Sequence, residues 1–319
     1  MGYFMLCERY HVSFKMILKD QNLNVFLGCE VMGLSTIINM LYYLRPRWYI
    51  ATYVLWWINV TLSLLAGWGI TFIMIGYNKF SMKEANATIL LPCVTMTVVS
   101  STGSLISQSM MNRPGFQLSQ DIITFLLWSN AVILATVLIC FYFNKLLLHG
   151  LPAKEVIYTC FIPIGILGQG GWAIQLNYKN LGNLIVNGSG LKLLNLDVGF
   201  SEEYLQTISA TLNILGICVA LFLAAFGVCL TALSFLAVVY CGRPPVWIRT
   251  MWASTFPLGT MALSFNEMYL TTKLTGFQVI STIYSVMLIL ITTYCIIGTV
   301  LFDVPYKDIC NIIRSSKKE

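Results

Sequence analysis

Charged residues are scarce in this chain of 319 residues, of which 10% are Asp, Glu, Lys or Arg and 57% are hydrophobic. Soluble domains carry roughly 25% charged residues. The 19 Lys and Arg and the 13 Asp and Glu leave a net charge of +6, and the basic residues form no continuous stripe. This composition excludes a soluble enzyme, a nucleic-acid-binding protein and a disordered chain, and it predicts a polytopic membrane protein.

Catalytic and metal-binding patterns are lacking as well. The two histidines, His11 and His149, lie outside the apolar segments, and the sequence holds no HExxH, P-loop or GxSxG motif. The ten cysteines include no CxxC pair, and most of them fall within apolar segments, as small buried hydrophobes do. We therefore expect no enzyme activity, no bound metal and no cofactor.

Apolar segments dominate what is present. Eight of them are long enough to cross a bilayer, which takes about 20 residues per helix. They cover approximately residues 22–44, 49–77, 87–109, 121–143, 156–176, 212–240, 246–270 and 277–302. The pattern predicts an all-α membrane protein with an N-terminal segment (1–21), one transmembrane domain (22–302) and a basic tail (303–319).

The sixth segment is either one long span or two short ones, because no charge occurs between Glu203 and Arg243. With one span, Lys and Arg divide 13 to 6 between the two sides of the membrane; with two, they divide 8 to 11. Cytoplasmic loops are enriched in Lys and Arg. The bias favours one span with both termini in the cytoplasm, and it places the glycosylation signal at Asn187 on the outer side.

Proline occurs within alternate spans only. Pro92, Pro163 and Pro257 fall inside the third, fifth and seventh spans, and the even-numbered spans contain none. Proline removes a backbone hydrogen bond and kinks a helix, and in a bilayer the freed carbonyl needs a partner. The alternation predicts a repeated hairpin, in which a kinked inner helix that lines a central pore is followed by a straight outer helix that faces lipid.

Small and hydroxylated residues surround these prolines and are candidates for the pore lining. They are Ser100, Ser101 and Gly103 in the third span, Gly165, Gly168, Gln169 and Gly170 in the fifth, and Thr255 and Gly259 in the seventh. Close helix packing explains a small residue equally well. Such a path holds no fixed positive charge and suits a small monovalent oxyanion, because multivalent ions cost more to desolvate.

Longer motifs around these residues resemble the fungal sulfite efflux pumps. The stretches at 54–60, 163–171 and 253–260, together with the Gly28 to Asn39 region, are similar to motifs of that family, in the same order. It belongs to the tellurite-resistance/dicarboxylate transporter superfamily, which includes the SLAC-type plant anion channels. The resemblance implies a plasma-membrane anion transporter of ten helices in five hairpins around a pore. It also implies a gate at Phe256, a trimeric assembly and sulfite as substrate.

Two departures from the family pattern leave alternatives open. The first span resembles the family's third helix, so the first hairpin is expected to be missing. Glu30-Val31 stands where many members have a proline, which places a carboxylate near the expected pore. An ionised Glu30 that faced the path would repel anions. A malate-type dicarboxylate permease and a non-transporting homologue or assembly partner remain the alternatives to sulfite export.

Overall fold

Eight helices account for most of the structure. The computed structural model describes residues 18, 20–76, 82–83, 85–110, 112–187, 193, 201–242 and 247–303. The helices are α1 (Gly28–Leu44), α2 (Tyr49–Leu64, continued through a π turn at Leu65–Ile70 to Thr71–Gly76), α3 (Leu91–Ser107), α4 (Pro114–His149), α5 (Ile162–Val186), α6 (Glu202–Cys241), α7 (Thr255–Thr272) and α8 (Thr275–Gly298, followed by a π turn at Thr299–Asp303). The all-α prediction is confirmed, and each predicted span lies on one of these helices.

The helices form four consecutive hairpins, α1–α2, α3–α4, α5–α6 and α7–α8, whose two arms pack together. The odd-numbered helices also contact one another in sequence, α1 with α3, α3 with α5, and α5 with α7. One buried apolar cluster surrounds α3 and a second lies among α5, α6, α7 and α8. The repeated hairpin predicted from the proline pattern is therefore present.

The sixth predicted span is a single α-helix, α6, of 40 residues. Ser201 caps its start by accepting the N–H of Tyr204 at 3.4 Å, and Glu202 and Glu203 stand in the first turn, where carboxylates complement the helix dipole. At 1.5 Å per residue the helix is about 60 Å long, about twice the hydrocarbon thickness of a bilayer. Residues 202–211, which precede the predicted sixth span, are therefore part of the same helix.

Burial separates the inner from the outer helices, with one exception. In an apolar stretch of 18 residues within each of the spans Ala87–Met110 and Lys154–Val186, which contain α3 and α5, 94% of the residues are buried, whereas the share is 11% in the span that contains α8. In the first span, Val25–Leu44, the share is only 28%, although this span was predicted to be an inner helix. It packs on α3 through a close approach at Gly28, and its other side is exposed.

Seven of the eight helical segments within the described residues are apolar and long enough to span a membrane. The exception is the segment that contains α7, which carries polar residues such as Thr260, Asn266 and Glu267. Half of the residues of α7 are buried, packed mainly against α5 and α8. The polar residues of α7 therefore face neighbouring helices and a cavity, described below, more than they face lipid.

The prolines lie at junctions between 3-10 and α-helix, not in the middle of an α-helix. Short 3-10 segments at Ala87–Leu90, Lys154–Phe161 and Arg249–Ser254 lead into α3, α5 and α7. Pro92, Pro163 and Pro257 each stand in the first turn of the α-helix that follows. An N–H is not needed for the α-helical ladder in a first turn, so proline is tolerated there.

Candidate functional site

An open cavity of about 720 Å³ lies between α1, α3, α5, α7 and α8. Its polar lining residues carry hydroxyl or amide groups: Thr36, Asn39, Tyr43, Gln169, Thr255, Thr260, Asn266, Ser281, Ser285 and Thr292. Among the described residues, none of those that line it is charged. The cavity can donate hydrogen bonds to a solute, but it provides no full counter-charge.

Phe256 projects into one end of this cavity. It precedes Pro257 in the first turn of α7, and 38% of its surface is exposed although α7 is packed on both sides. The ring crosses the face of α5 at Gly165, where a Cβ would lie 2.9 Å from Phe256 Cε1. Glycine at 165 therefore leaves the space that the ring occupies, and these two predicted site residues touch.

Gln169 connects the cavity to α3. Its side chain is 4% exposed and lines the cavity, and its Nε2 donates a hydrogen bond to Ser101 Oγ. Ser101 in turn donates to the carbonyl of Val98 at 2.8 Å. The pair fixes the orientation of one amide at the wall of the cavity.

Three further predicted residues lie at the contact of α7 with its neighbours. Thr255 and Gly259 line the cavity, and a Cβ at Gly259 would approach Leu288 of α8 to 3.3 Å. Gly168 instead allows the backbones of α5 and α7 to meet, because a Cβ there would lie 2.6 Å from Met261 N. Gly168 therefore serves close helix packing and is not among the residues that line the cavity.

Other predicted lining residues face neighbouring helices. Ser100 donates to the carbonyl of Thr124 at 2.7 Å, and a Cβ at Gly103 would collide with Trp56 and Thr124. The carbonyl of Gly170 accepts the indole N–H of Trp128 at 2.8 Å. These three residues are not among those that line the cavity; they join α3 and α5 to α2 and α4.

Two of the three prolines carry the same local hydrogen bond. Thr95 donates to the carbonyl of Pro92 at 2.7 Å, and Thr260 donates to the carbonyl of Pro257 at 2.8 Å. Near Pro163, Ser234 of α6 donates to the carbonyl of Cys160 at 2.9 Å. Pro163 also lines a separate apolar cavity of about 350 Å³ between α4, α5 and α6.

Glu30 and Asn187 are both exposed. Glu30 lies in the first turn of α1 and is not among the residues that line the cavity. Asn187 follows the last residue of α5, and the rest of its glycosylation signal, Gly188-Ser189, lies outside the described residues. The geometry keeps the Glu30 carboxylate off the cavity wall.

The sequence reasoning missed two parts of the site. Ser281, Ser285 and Thr292 of α8 line the cavity, because α8 is an outer helix with one polar edge. Their spacing of four and seven residues puts them on one helix face and could have revealed that edge. The second missed feature is an ion pair between Lys179 of α5 and Glu267 of α7, whose Nζ and Oε1 are 2.8 Å apart.

This ion pair lies beyond the end of the cavity opposite Phe256. On α7 the cavity face runs through Phe256, Gly259 and Leu263, and Glu267 is one turn further along that face. Lys179 likewise stands two turns beyond Trp172 on α5. At 1.5 Å per residue, about 16 Å of helix separates Phe256 from Glu267.

Comparison with known proteins gives a consistent set of relatives. The sequence profile of the SLAC1 family, described as voltage-dependent anion channel, matches residues 1–300. The sulfite efflux pump SSU1 of Candida albicans is 29% identical over 94% of this chain, and that of Saccharomyces cerevisiae is 27% identical over 92%. The chain spans 63% of the length of the first pump and 73% of the second. No solved structure matches the chain.

Proposed function

Because the chain belongs to the SLAC1 family of voltage-dependent anion channels, we propose that it exports a small inorganic anion, sulfite, through the cavity between α1, α3, α5, α7 and α8. The observation that carries this proposal is the lining of that cavity, which combines uncharged hydroxyl and amide groups with apolar side chains, Phe256 among them. The names of the relatives, sulfite efflux pumps in several fungi, support the choice of substrate.

The uncharged lining favours a monovalent oxyanion over a dianion. Neutral donors such as the Asn266 amide and the Ser285 hydroxyl replace part of the hydration shell of an anion, but no ammonium or guanidinium among the described lining residues compensates a second charge. The desolvation cost rises steeply with charge. A dicarboxylate such as malate would therefore enter this cavity less readily than the singly charged form of sulfite.

Phe256 is the gate in this proposal. Its ring lies across α5 at Gly165, with no polar partner, and it narrows one end of the cavity. Both termini lie in the cytoplasm in this proposal, as the charge bias of the sequence predicts. The plasma membrane is the location that the family resemblance implies. The ring then lies in the cytoplasmic half of the path, and the Lys179–Glu267 pair lies towards the outside. A trimer, which the superfamily suggests, stays a prediction.

The test is the flux of radiolabelled sulfite into lipid vesicles that contain the purified chain, measured at weakly acidic pH, where the singly charged form of sulfite predominates. We expect uptake by the wild type that excess malate does not inhibit, and faster basal uptake by Phe256→Ala. Phe222→Ala, which removes a phenylalanine that is 78% exposed on α6, is the matched control and should leave uptake unchanged.

If malate inhibited the uptake of labelled sulfite at the same concentration as unlabelled sulfite does, the result would favour the dicarboxylate alternative. Equal basal uptake by wild type and Phe256→Ala would contradict the gate. Absence of sulfite uptake in both would contradict the transport proposal itself.

A further inference from the structure

A carboxyl group is buried outside the cavity, where α3, α4 and α5 meet. Asp121, in the second turn of α4, is 3% exposed. Its Oδ1 accepts a hydrogen bond from Asn180 of α5 at 3.3 Å, and its Oδ2 has no hydrogen-bond partner. The ion pairs among the described residues are Lys179–Glu267 and Arg249–Asp303, so no counter-ion accompanies Asp121.

The amide donors around Asp121 are fully used. Asn180 Nδ2 donates to the carbonyl of Ser104 at 2.7 Å as well as to Asp121. Asn177 Nδ2 donates to the Asp121 carbonyl and to Thr124 Oγ1, both at 2.8 Å. Each amide thus spends both of its N–H groups, and neither has a hydrogen left for the second carboxyl oxygen.

Three other polar atoms of the cluster are likewise left without partners. Asn180 Oδ1 and the hydroxyl oxygens of Ser104 and Ser107 are buried and have no hydrogen-bond partner. The Ser107 hydroxyl of α3 lies beside the carboxyl group of Asp121 but outside hydrogen-bond geometry. A serine hydroxyl donates as well as accepts, so Ser107 can partner the carboxyl in either protonation state, and charge decides between the two states.

Charge favours the protonated state of this carboxyl. An ionised carboxylate in a buried site with no counter-ion is strongly unfavourable, whereas a neutral carboxyl group is tolerated when its O–H has an acceptor. The groups that face Asp121 from α3 and α5 are Ser104, Ser107, Asn177 and Asn180, which are all uncharged. Lys179, the nearest charged residue along α5, is held by Glu267.

A small cavity gives this site a route to its ligand. It has a volume of about 260 Å³ and is lined by Asp121, Asn177 and Tyr178 together with apolar residues of α4 and α5. Tyr178 is the other titratable residue on its wall. Water in this cavity could deliver a proton to Asp121 without passing the 720 Å³ cavity.

We propose that Asp121 is a proton-binding site. One proton adds to the unpartnered Oδ2 of the carboxylate, and the resulting O–H donates to Ser107 Oγ, which ties α4 to α3. Loss of the proton leaves an uncompensated charge at the contact of the three helices and loosens that contact. The proposal does not depend on which anion the protein exports.

The test is infrared spectroscopy of the purified full chain, which follows the carbonyl stretch of protonated carboxylic acids while the pH is raised from acidic to alkaline. We expect a buried carboxylic acid band in the wild type that persists after exposed carboxyl groups have ionised. Asp121→Asn, which keeps the shape and the hydrogen bond to Asn180, should lack the band at every pH.

Two further variants keep the result decisive. Glu203→Gln removes an exposed carboxyl group in the first turn of α6 and should retain the band. Ser107→Ala, which changes a neighbour of the carboxyl only, should shift the band without removing it, and it carries the test if Asp121→Asn fails to fold. A wild type without the band, a band that survives in Asp121→Asn, or an unshifted band in Ser107→Ala would overturn the proposal.

Discussion

At the residue scale, the position of the Phe256 ring depends on the absence of a side chain at Gly165. A glycine in the interior of a helix costs roughly 1 kcal/mol relative to alanine, so its presence in the first turns of α5 calls for a reason. The reason is contact, since a Cβ there would lie 2.9 Å from the ring. Gly165 therefore belongs to the gate although it offers no chemical group to a substrate.

Gly165→Ala should displace the ring and raise basal anion uptake, by less than Phe256→Ala does. Because both changes act on one contact, the alanine should have little effect once Phe256 is already alanine, which gives a coupling of about 1 kcal/mol in the double-mutant cycle. Gly33→Ala is the control, since a Cβ at Gly33 meets open space. Equal effects of Gly165→Ala in the presence and absence of the ring would show that the two residues act independently.

At the same scale, the sequence indicated which residues belong to the region but not the direction in which each one faces. Gln169 and Gly170 are adjacent in the same motif, yet Gln169 lines the cavity and Gly170 lies against Trp128. A helix turns 100° per residue, so a cluster of small residues necessarily covers several faces. Only the packing of α5 against α3, α4 and α7 decides between those faces.

At the scale of the elements, proline alternation was a reliable signal because its cause is local. Proline is compatible with the first turn of a helix and unfavourable further in. The three prolines therefore mark equivalent junctions in successive hairpins. Two of the outer helices, α4 and α6, share a second local signal. Each is followed by a glycine with positive φ, Gly150 at 76° and Gly242 at 75°. The polar edge of α8 was missed because an outer helix was assumed to face only lipid.

The contact between α5 and α7 is stabilised by the Lys179–Glu267 ion pair, which breaks when Lys179 is replaced. Lys179→Met should lower the free energy of unfolding by about 1–2 kcal/mol, because the side chain of Glu267 is only 9% exposed and loses its partner. Arg249→Met breaks the other ion pair, in which the Arg249 side chain is 81% exposed, and should cost less than about 1 kcal/mol.

The measurement is thermal unfolding of the variants in detergent micelles. Adding Glu267→Gln to Lys179→Met should recover most of the loss, since it removes the unpaired buried charge. A loss for Arg249→Met as large as that for Lys179→Met would mean that burial does not set the strength of these pairs.

At the scale of the whole molecule, four hairpins arrange their first helices in sequence, and the cavity is enclosed by the first helix of each hairpin together with α8, the second helix of the last. Composition and the spacing of apolar segments sufficed to predict the membrane fold and the eight helices. They could not predict the exposure of α1, which depends on how much of its surface other helices cover. Nor could they predict the buried contact at Asp121, which joins residues from three helices.

The central claim is that the anion passes through the cavity between α1, α3, α5, α7 and α8. It is tested most directly by narrowing that cavity from α8, where hydroxyl residues that face the cavity alternate with others that are exposed. Ser285 and Thr292 line the cavity, whereas Thr282 and Thr293 are exposed on the same helix and are not among its lining residues.

The measurement is sulfite uptake into vesicles by the double variants Ser285→Phe with Thr292→Phe and Thr282→Phe with Thr293→Phe. The first pair places two rings in the cavity and should abolish most of the flux, while the second places them on the exposed face and should leave the flux close to that of the wild type. Equal flux through both double variants, or a wild type that carries no sulfite, would contradict the account.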